Sequence, residues 1–207
     1  MRSESISMGE LHALFGKSPT DTIRLKMIFA SSHEDRLDAV NAAIDWIVQE
    51  HTKTRHKRQN RDEDSLTIDV VTELKAMGFD ASHDTQYGGH CDIVIESKDG
   101  FLWLGEAKIH KDYNWLLKGF QQLDTRYSTG LPGQDAGGMI IYFFGQNALA
   151  MMDTWAERLV EARPDVSIST SQLNPLVRDS IHIHPNSGLP FKVRHTPINL
   201  YHKPEDS

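Results

Sequence analysis

The sequence predicts an α/β domain, a mixed central sheet flanked by helices, with a helical extension at its N-terminus. Three observations carry that expectation. Apolar residues recur at helical spacing as far as Gly78 and then switch to short strand-like runs. Two of those runs, 91–96 and 101–109, flank the turn Ser97-Lys-Asp-Gly100 and so form a hairpin. Beyond them, helical segments alternate with the apolar run 139–144. A hairpin and helix-linked strands in one sheet make that sheet mixed.

Residues 1–61 are expected as the helical extension and 62–207 as the α/β domain. Ser31 and Glu34 have the spacing of a capping box, which would open a helix near His33. Leu37, Val40, Ile44 and Ile47 make its apolar stripe. That helix runs into a stretch holding Lys53, Arg55, Lys57, Arg58 and Arg61 and no acid. The stretch is either a solvated helix end, where cations suit the dipole, or a phosphate-facing arm. A second helix is expected over 63–77, with Leu66, Val70 and Leu74 on one face and Gly78 as its stop. Residues 79–87 are a strand candidate before the hairpin. Residues 113–127 read as a helix through Leu116, Leu117, Phe120 and Leu123, 128–138 as a Gly-rich loop, and 139–144 as a buried strand. Residues 147–162 read as an amphipathic helix on Met151, Trp155 and Leu159. Short strand-like pieces follow around 166–169 and 181–184, and the tail from Lys203 is expected to fray.

The chain has 207 residues, 39% of them hydrophobic and 25% charged, with a formal net charge of -7. That balance argues against coating nucleic acid through bulk positive charge. No apolar run approaches the roughly 20 residues of a membrane span. Glu4 and Glu10 stand where a signal peptide would have its apolar stretch. The single cysteine, Cys91, excludes an internal disulfide framework or a Cys-rich zinc module. A cytoplasmic protein without a membrane partner is expected.

The chemistry concentrates in the hairpin. If its turn centres near Asp99, Asp92 and Glu106 face each other on adjacent strands. Alternation puts Glu106 and Lys108 on one side. Like charges directly opposite are destabilising and call for compensation. A divalent cation provides it: Asp92, Glu106 and the carbonyl of Ala107 could form part of an oxygen shell around Mg²⁺ or Mn²⁺. Lys108 beside them could orient or deprotonate a water and neutralise a phosphate.

Asp92, a gap, and Glu106-Ala107-Lys108 resemble the signature of the PD-(D/E)XK nuclease superfamily, with Cys91 where the family name has proline. The resemblance covers roughly residues 62–145 and implies a restriction-endonuclease-like core. It implies a metal-binding acid on the helix before the hairpin, for which Glu63 is the best match and Asp62, Asp64 and Glu73 are competitors. It implies a glutamine on the helix after Lys108; Gln122 fits better than Gln121, because it precedes Leu123 in a Gln-Leu-x-x-Arg-Tyr pattern. The implied activity is Mg²⁺- or Mn²⁺-dependent hydrolysis of DNA phosphodiesters, in restriction or phage defence. Asp92, Glu106, Lys108 and Gln122 would be catalytic. Glu63, Asp92, Glu106 and Ala107 would hold metal. Lys111, Lys118, Arg126, Lys57 and Arg58 would contact substrate. A homodimer would place one site on each strand. The alternative is an inactive nuclease-fold module that binds DNA or assembles with a partner protein of a defence system. Action on RNA or a branched junction ranks lowest.

Other residues invite simpler readings. His182 and His184 share a strand face without a third ligand, so a solvated strand is expected there rather than zinc. His90 and His110 flank the site and read as strand-end polarity or as substrate contacts. Cys91 reads as a small buried residue. Gly88-Gly89 and Gly137-Gly138 suit tight turns or close backbone approach. Trp103, Trp115 and Trp155 read as core, with base stacking on Trp115 or Tyr113 as the other possibility.

Overall fold

The computed structural model describes residues 7–205. Residues 1–6 of the expected extension and 206–207 of the tail lie outside the described residues. Helices α1 (Met8–Phe15) and α2 (Pro19–Phe29) precede α3 (His33–Lys53). Ser18 caps α2 by accepting from the Asp21 amide, and Pro19 sits at the helix start, where no amide is needed. The α3 capping box falls one residue later than its spacing suggested. Ser32 accepts from the Asp35 amide and Asp35 accepts back from the Ser32 amide. Asp35 also takes the Ser31 amide and hydroxyl, while Glu34 reaches Lys192 at 2.7 Å. Helix α4 (Glu63–Ala76) is capped by Asp62 and stops at Gly78, whose φ of 89° suits glycine.

Strands β1 (Asp80–Gln86), β2 (His90–Glu96) and β3 (Leu102–Ile109) form an antiparallel meander. Helix α5 (Tyr113–Gln122) then carries the chain over to β4 (Ala136–Phe143), which runs parallel to β3, as a crossover requires. The expected 113–127 helix changes character at its end: Leu123–Tyr127 is a π-helical turn. Helix α6 (Ala148–Ala162), capped by Asn147, precedes β5 (Ser167–Thr170), β6 (Arg178–Ile183) and β7 (Pro190–Asn199). Seven strands make one mixed sheet in the order β1-β2-β3-β4-β7-β6-β5.

Two strands correct the sequence reading. Gly137 and Gly138 belong to β4 rather than to the loop before it. A Cβ at Gly137 would come 2.6 Å from the Leu104 carbonyl oxygen, and one at Gly138 would come 2.5 Å from the Trp103 ring. The larger departure is β7, a ten-residue strand between β4 and β6, where only short pieces elsewhere were expected. Proline at 190 and 197 conceals it. Pro190 opens the strand, and Pro197 lies beyond His195, the last residue that β6 pairs, where one edge of β7 is unpaired and tolerates proline.

The sheet has a helical layer on each face. On one side, Leu37, Val40, Ile44 and Ile47 of α3 and Leu66, Val70 and Leu74 of α4 share a core with Ile93, Ile95, Trp103 and Ile140. The residue-61 boundary therefore does not divide the core. On the other side, Leu116 and Phe120 of α5 and Met151, Trp155 and Leu159 of α6 cover Leu104, Met139, Ile141 and Val193. Strand β4 is buried along its whole length, as suits a central strand covered on both faces. Among the described residues, no helix is long and apolar enough to cross a membrane.

Candidate active site

The site forms where β2 and β3 part. Their ladder follows the expected register, with Val94 opposite Leu104, but its last pair is Ile93 with Gly105. Asp92 and Glu106 therefore sit one step beyond the ladder instead of pairing across it. The amides of Ala107 and Ile109 point toward the side that β2 has left. Buried backbone amides need partners, and two carboxylates supply them. Asp92 Oδ2 accepts from the Ala107 amide at 2.8 Å, and Glu63 Oε2 accepts from the Ile109 amide at 2.6 Å. Glu63 stands at the first position of α4, so the helix start delivers it to the end of β3. Its three competitors are engaged elsewhere. Asp62 caps α4, Asp64 pairs with His83 at 3.2 Å, and Glu73 pairs with His51 at 3.2 Å.

Lys108 lies among these acids. Its Nζ is 2.6 Å from Glu106 Oε1, 3.5 Å from Glu63 Oε1 and 3.7 Å from Asp92 Oδ2, and it donates to the Ala107 carbonyl at 3.3 Å. Its stem packs on α5, where a Cβ at Gly119 would come 2.9 Å from Lys108 Cγ. Glycine there lets helix and lysine approach. With three acids ionised and Lys108 protonated, the cluster is two charges negative. Glu106 feels this most: burial and the Asp92 charge push its carboxyl up to about 7. Its Oε2 is buried without a partner. Burial also raises Asp92, against the pull of Lys108. For Lys108, burial alone would lower the ammonium, but Glu106, Asp92 and Glu63 together outweigh it and raise it.

Gln122 Nε2 donates to the Tyr127 hydroxyl at 3.4 Å rather than to one of the three acids. Burial raises the Tyr127 phenol, and the Glu106 and Asp92 charges add to it. The sequence reading missed Tyr127, although the Gln-Leu-x-x-Arg-Tyr pattern contained it; the π turn brings it back toward Gln122. Arg126 is exposed and lies against the Gly88-Gly89 turn, where a Cβ at Gly88 would collide with the Arg126 carbonyl oxygen. Trp115 is half-buried rather than core, whereas Trp103 and Trp155 are core. Lys111 and Lys118 are exposed beside Trp115.

The basic stretch after α3 is tied down more than it is presented. Arg58 and Arg61 both pair with Asp69 of α4, and Lys53 pairs with Glu50. Lys57 is exposed. His90 pairs with Asp84 at 2.8 Å, and His110 packs edge-on against Tyr113 and Phe143. Burial pushes the Cys91 thiol up to about 12, which removes it as a nucleophile at neutral pH.

His182 and His184 correct the expectation of a solvated strand. Both are buried, while Ile181 and Ile183 between and beside them face solvent. His182 Nε2 bonds Asp124 Oδ1 at 2.8 Å, Arg163 bonds the same carboxylate, and His184 Nε2 meets Ser128 Oγ at 2.9 Å. His195, buried on the neighbouring β7, bonds Ser180 Oγ at 2.8 Å and accepts from the Trp155 indole N–H at 3.2 Å. Among the described residues, no three His, Cys, Asp or Glu side chains stand as a ready-made metal cage. No family model, curated protein or solved structure matches this chain.

Proposed function

We propose that the protein is a metal-dependent nuclease of the restriction-endonuclease-like kind, which hydrolyses DNA phosphodiesters in a restriction or phage-defence setting. The observation that carries this reading is the convergence of Glu63, Asp92 and Glu106 on Lys108 where β2 and β3 part. An all-oxygen donor set with excess negative charge, and an unpaired buried oxygen on Glu106, suits a hard divalent cation. Glu63, Asp92, Glu106 and the Ala107 carbonyl would hold Mg²⁺ or Mn²⁺, which when bound supplies an acidified water and positive charge opposite the phosphate. The remaining work belongs to the chain. Lys108, kept charged by the acids, orients the water and offsets charge on the phosphate. Gln122, through its bond to the Tyr127 hydroxyl, would help to hold the site's geometry. Lys111, Lys118 and Arg126 offer exposed cations for the phosphate backbone, and Lys57 a more distant one.

Purified protein with Mg²⁺ or Mn²⁺ should cut DNA, and Lys108→Ala or Glu106→Ala should abolish cutting with circular dichroism unchanged. Equal cutting by both variants would remove the assignment. Linear, circular, single-stranded, branched and RNA substrates, run in parallel, define the substrate.

One observation favours a second reading, a non-catalytic DNA-binding or assembly module: Lys108 already sits among the acids and offsets part of their charge. Calorimetric titration with Mn²⁺ separates the two. A catalytic site binds Mn²⁺ and loses that binding in Asp92→Asn; a scaffold binds none.

A further inference from the structure

On the outer side of α5, Trp115 is a ring that the hydrolytic site leaves unused, although the lysines around it belong to that site. Three lysine ammonium groups gather on the Trp115 ring, with Lys111 Nζ 4.8 Å, Lys118 Nζ 5.3 Å and Lys108 Nζ 5.6 Å from its centroid. The indole N–H is buried without an acceptor, so the half-exposed part of Trp115 is hydrocarbon ring. The nearest acid in sequence, Asp112, is occupied as the helix cap, accepting from the Trp115 amide at 2.9 Å.

We propose that Trp115, Lys111 and Lys118 form a platform for an unpaired DNA strand next to the Glu106–Lys108 cluster. The proposal rests on the nuclease reading of that cluster and adds the substrate class: a strand whose bases are free to unstack. Ammonium groups collect on an indole because its face is electron-rich. Phosphate oxygens are stronger partners for those ammonium groups, and a base is a better partner for the ring. A single strand satisfies both by exchange, with phosphates drawing Lys111 and Lys118 outward while a base takes the ring. A closed duplex hides its base faces and can satisfy only the lysines. Lys108 touches both the ring and Glu106, so a base held on Trp115 sets its neighbouring phosphate beside the acids.

Binding measured in EDTA decides the platform whether or not the protein cuts. An oligothymidylate should bind more tightly than a duplex of equal length. Trp115→Leu should weaken single-strand binding about tenfold, and Trp115→Phe should retain most of it. Lys111→Ala and Lys118→Ala should each flatten the dependence of log K on log salt by about 0.7. Trp115→Phe should also abolish strand-induced quenching of tryptophan fluorescence, with Trp46, Trp103 and Trp155 still present; this readout survives if Trp115→Leu folds poorly. Equal affinity for duplex, unchanged binding by Trp115→Leu in its folded form, or persistent quenching in Trp115→Phe would overturn the platform. Tighter binding of RNA of matched length would overturn its assignment to DNA. Cleavage of the same oligonucleotides with Mn²⁺ is scored separately. A protein that binds the strand but does not cut refutes the nuclease and supports the platform.

Discussion

The cluster around Lys108 and the cluster around Asp124 are both buried, polar and built on the same face of the sheet, yet they are balanced differently. Around Asp124, acid meets base: its carboxylate takes His182 and Arg163, and the neighbouring imidazoles of His184 and His195 each pair with a serine. Around Lys108, three carboxylates share one ammonium, two of them are held by strand amides, and an oxygen of Glu106 has no partner. A polar cluster that serves the fold closes its own charges, because an unpaired buried charge is costly. On the nuclease reading proposed above, the excess negative charge around Lys108 is balanced by a cation from outside.

Breaking each cluster should therefore have different consequences. In the Lys108 cluster the loss should show in activity: Lys108→Ala should cut turnover by about 10²–10⁴-fold, measured as initial cleavage rate with Mn²⁺ on protein that circular dichroism shows to be folded. In the Asp124 cluster it should fall on stability. Asp124→Ala leaves the buried His182 without its carboxylate, while Arg163 keeps Asp165 and the Ile183 carbonyl, and should cost about 1–3 kcal/mol in urea unfolding. If Asp124→Ala unfolds at the wild-type midpoint, the contrast between the clusters fails.

The clusters should also titrate in opposite senses. Burial and the neighbouring His182 push the His195 imidazole down to about 3; in addition, the Trp155 N–H occupies the nitrogen that a second proton would need. The unfolded chain takes up that proton below about 6.5 and the native state does not. Stability should thus fall as pH drops from about 6.5 toward 3, by up to about 1.4 kcal/mol per unit. Glu106 runs the other way. Its native carboxyl, raised to about 7, keeps a proton that the unfolded chain releases above 4.5. It should cost stability as pH rises from 4.5 to 7, and Glu106→Gln should remove that slope. Urea midpoints across this range, for wild type and Glu106→Gln, test both. Mn²⁺ affinity should rise with pH over the same interval as the Glu106 proton leaves. The smallest effect is expected for Ser128→Ala, which removes the hydroxyl bonded to His184 and should cost about 1 kcal/mol.

Much of the Lys108 cluster was legible because a hairpin is a local object. Its turn at 97–100 sets the register, and alternation puts Glu106 and Lys108 on one side without knowledge of the rest of the chain. Asp124 and its histidines were illegible for the opposite reason. Strand β6 turns His182 inward and Ile181 and Ile183 outward, with His184 buried just past its end, the reverse of what polarity suggests, because Asp124 waits inside, 58 residues away in sequence from His182. Trp115 was read as core, with base stacking as the other possibility, and only the fold shows it half-buried with three lysines around it.

By itself, then, the sequence determined the helices α3 to α6, the β2–β3 hairpin and its register, the buried run of β4 and the nearness of Asp92 to Glu106, all of which depend on spacing among near neighbours. Only the tertiary structure decided that β7 lies in the middle of the sheet, and that Glu63 among four acids reaches β3 across 46 residues. It also decided which polar groups are shut away from water. Local periodicity follows from backbone geometry, whereas a strand's neighbours and the solvation of a charge depend on segments that folding alone brings together.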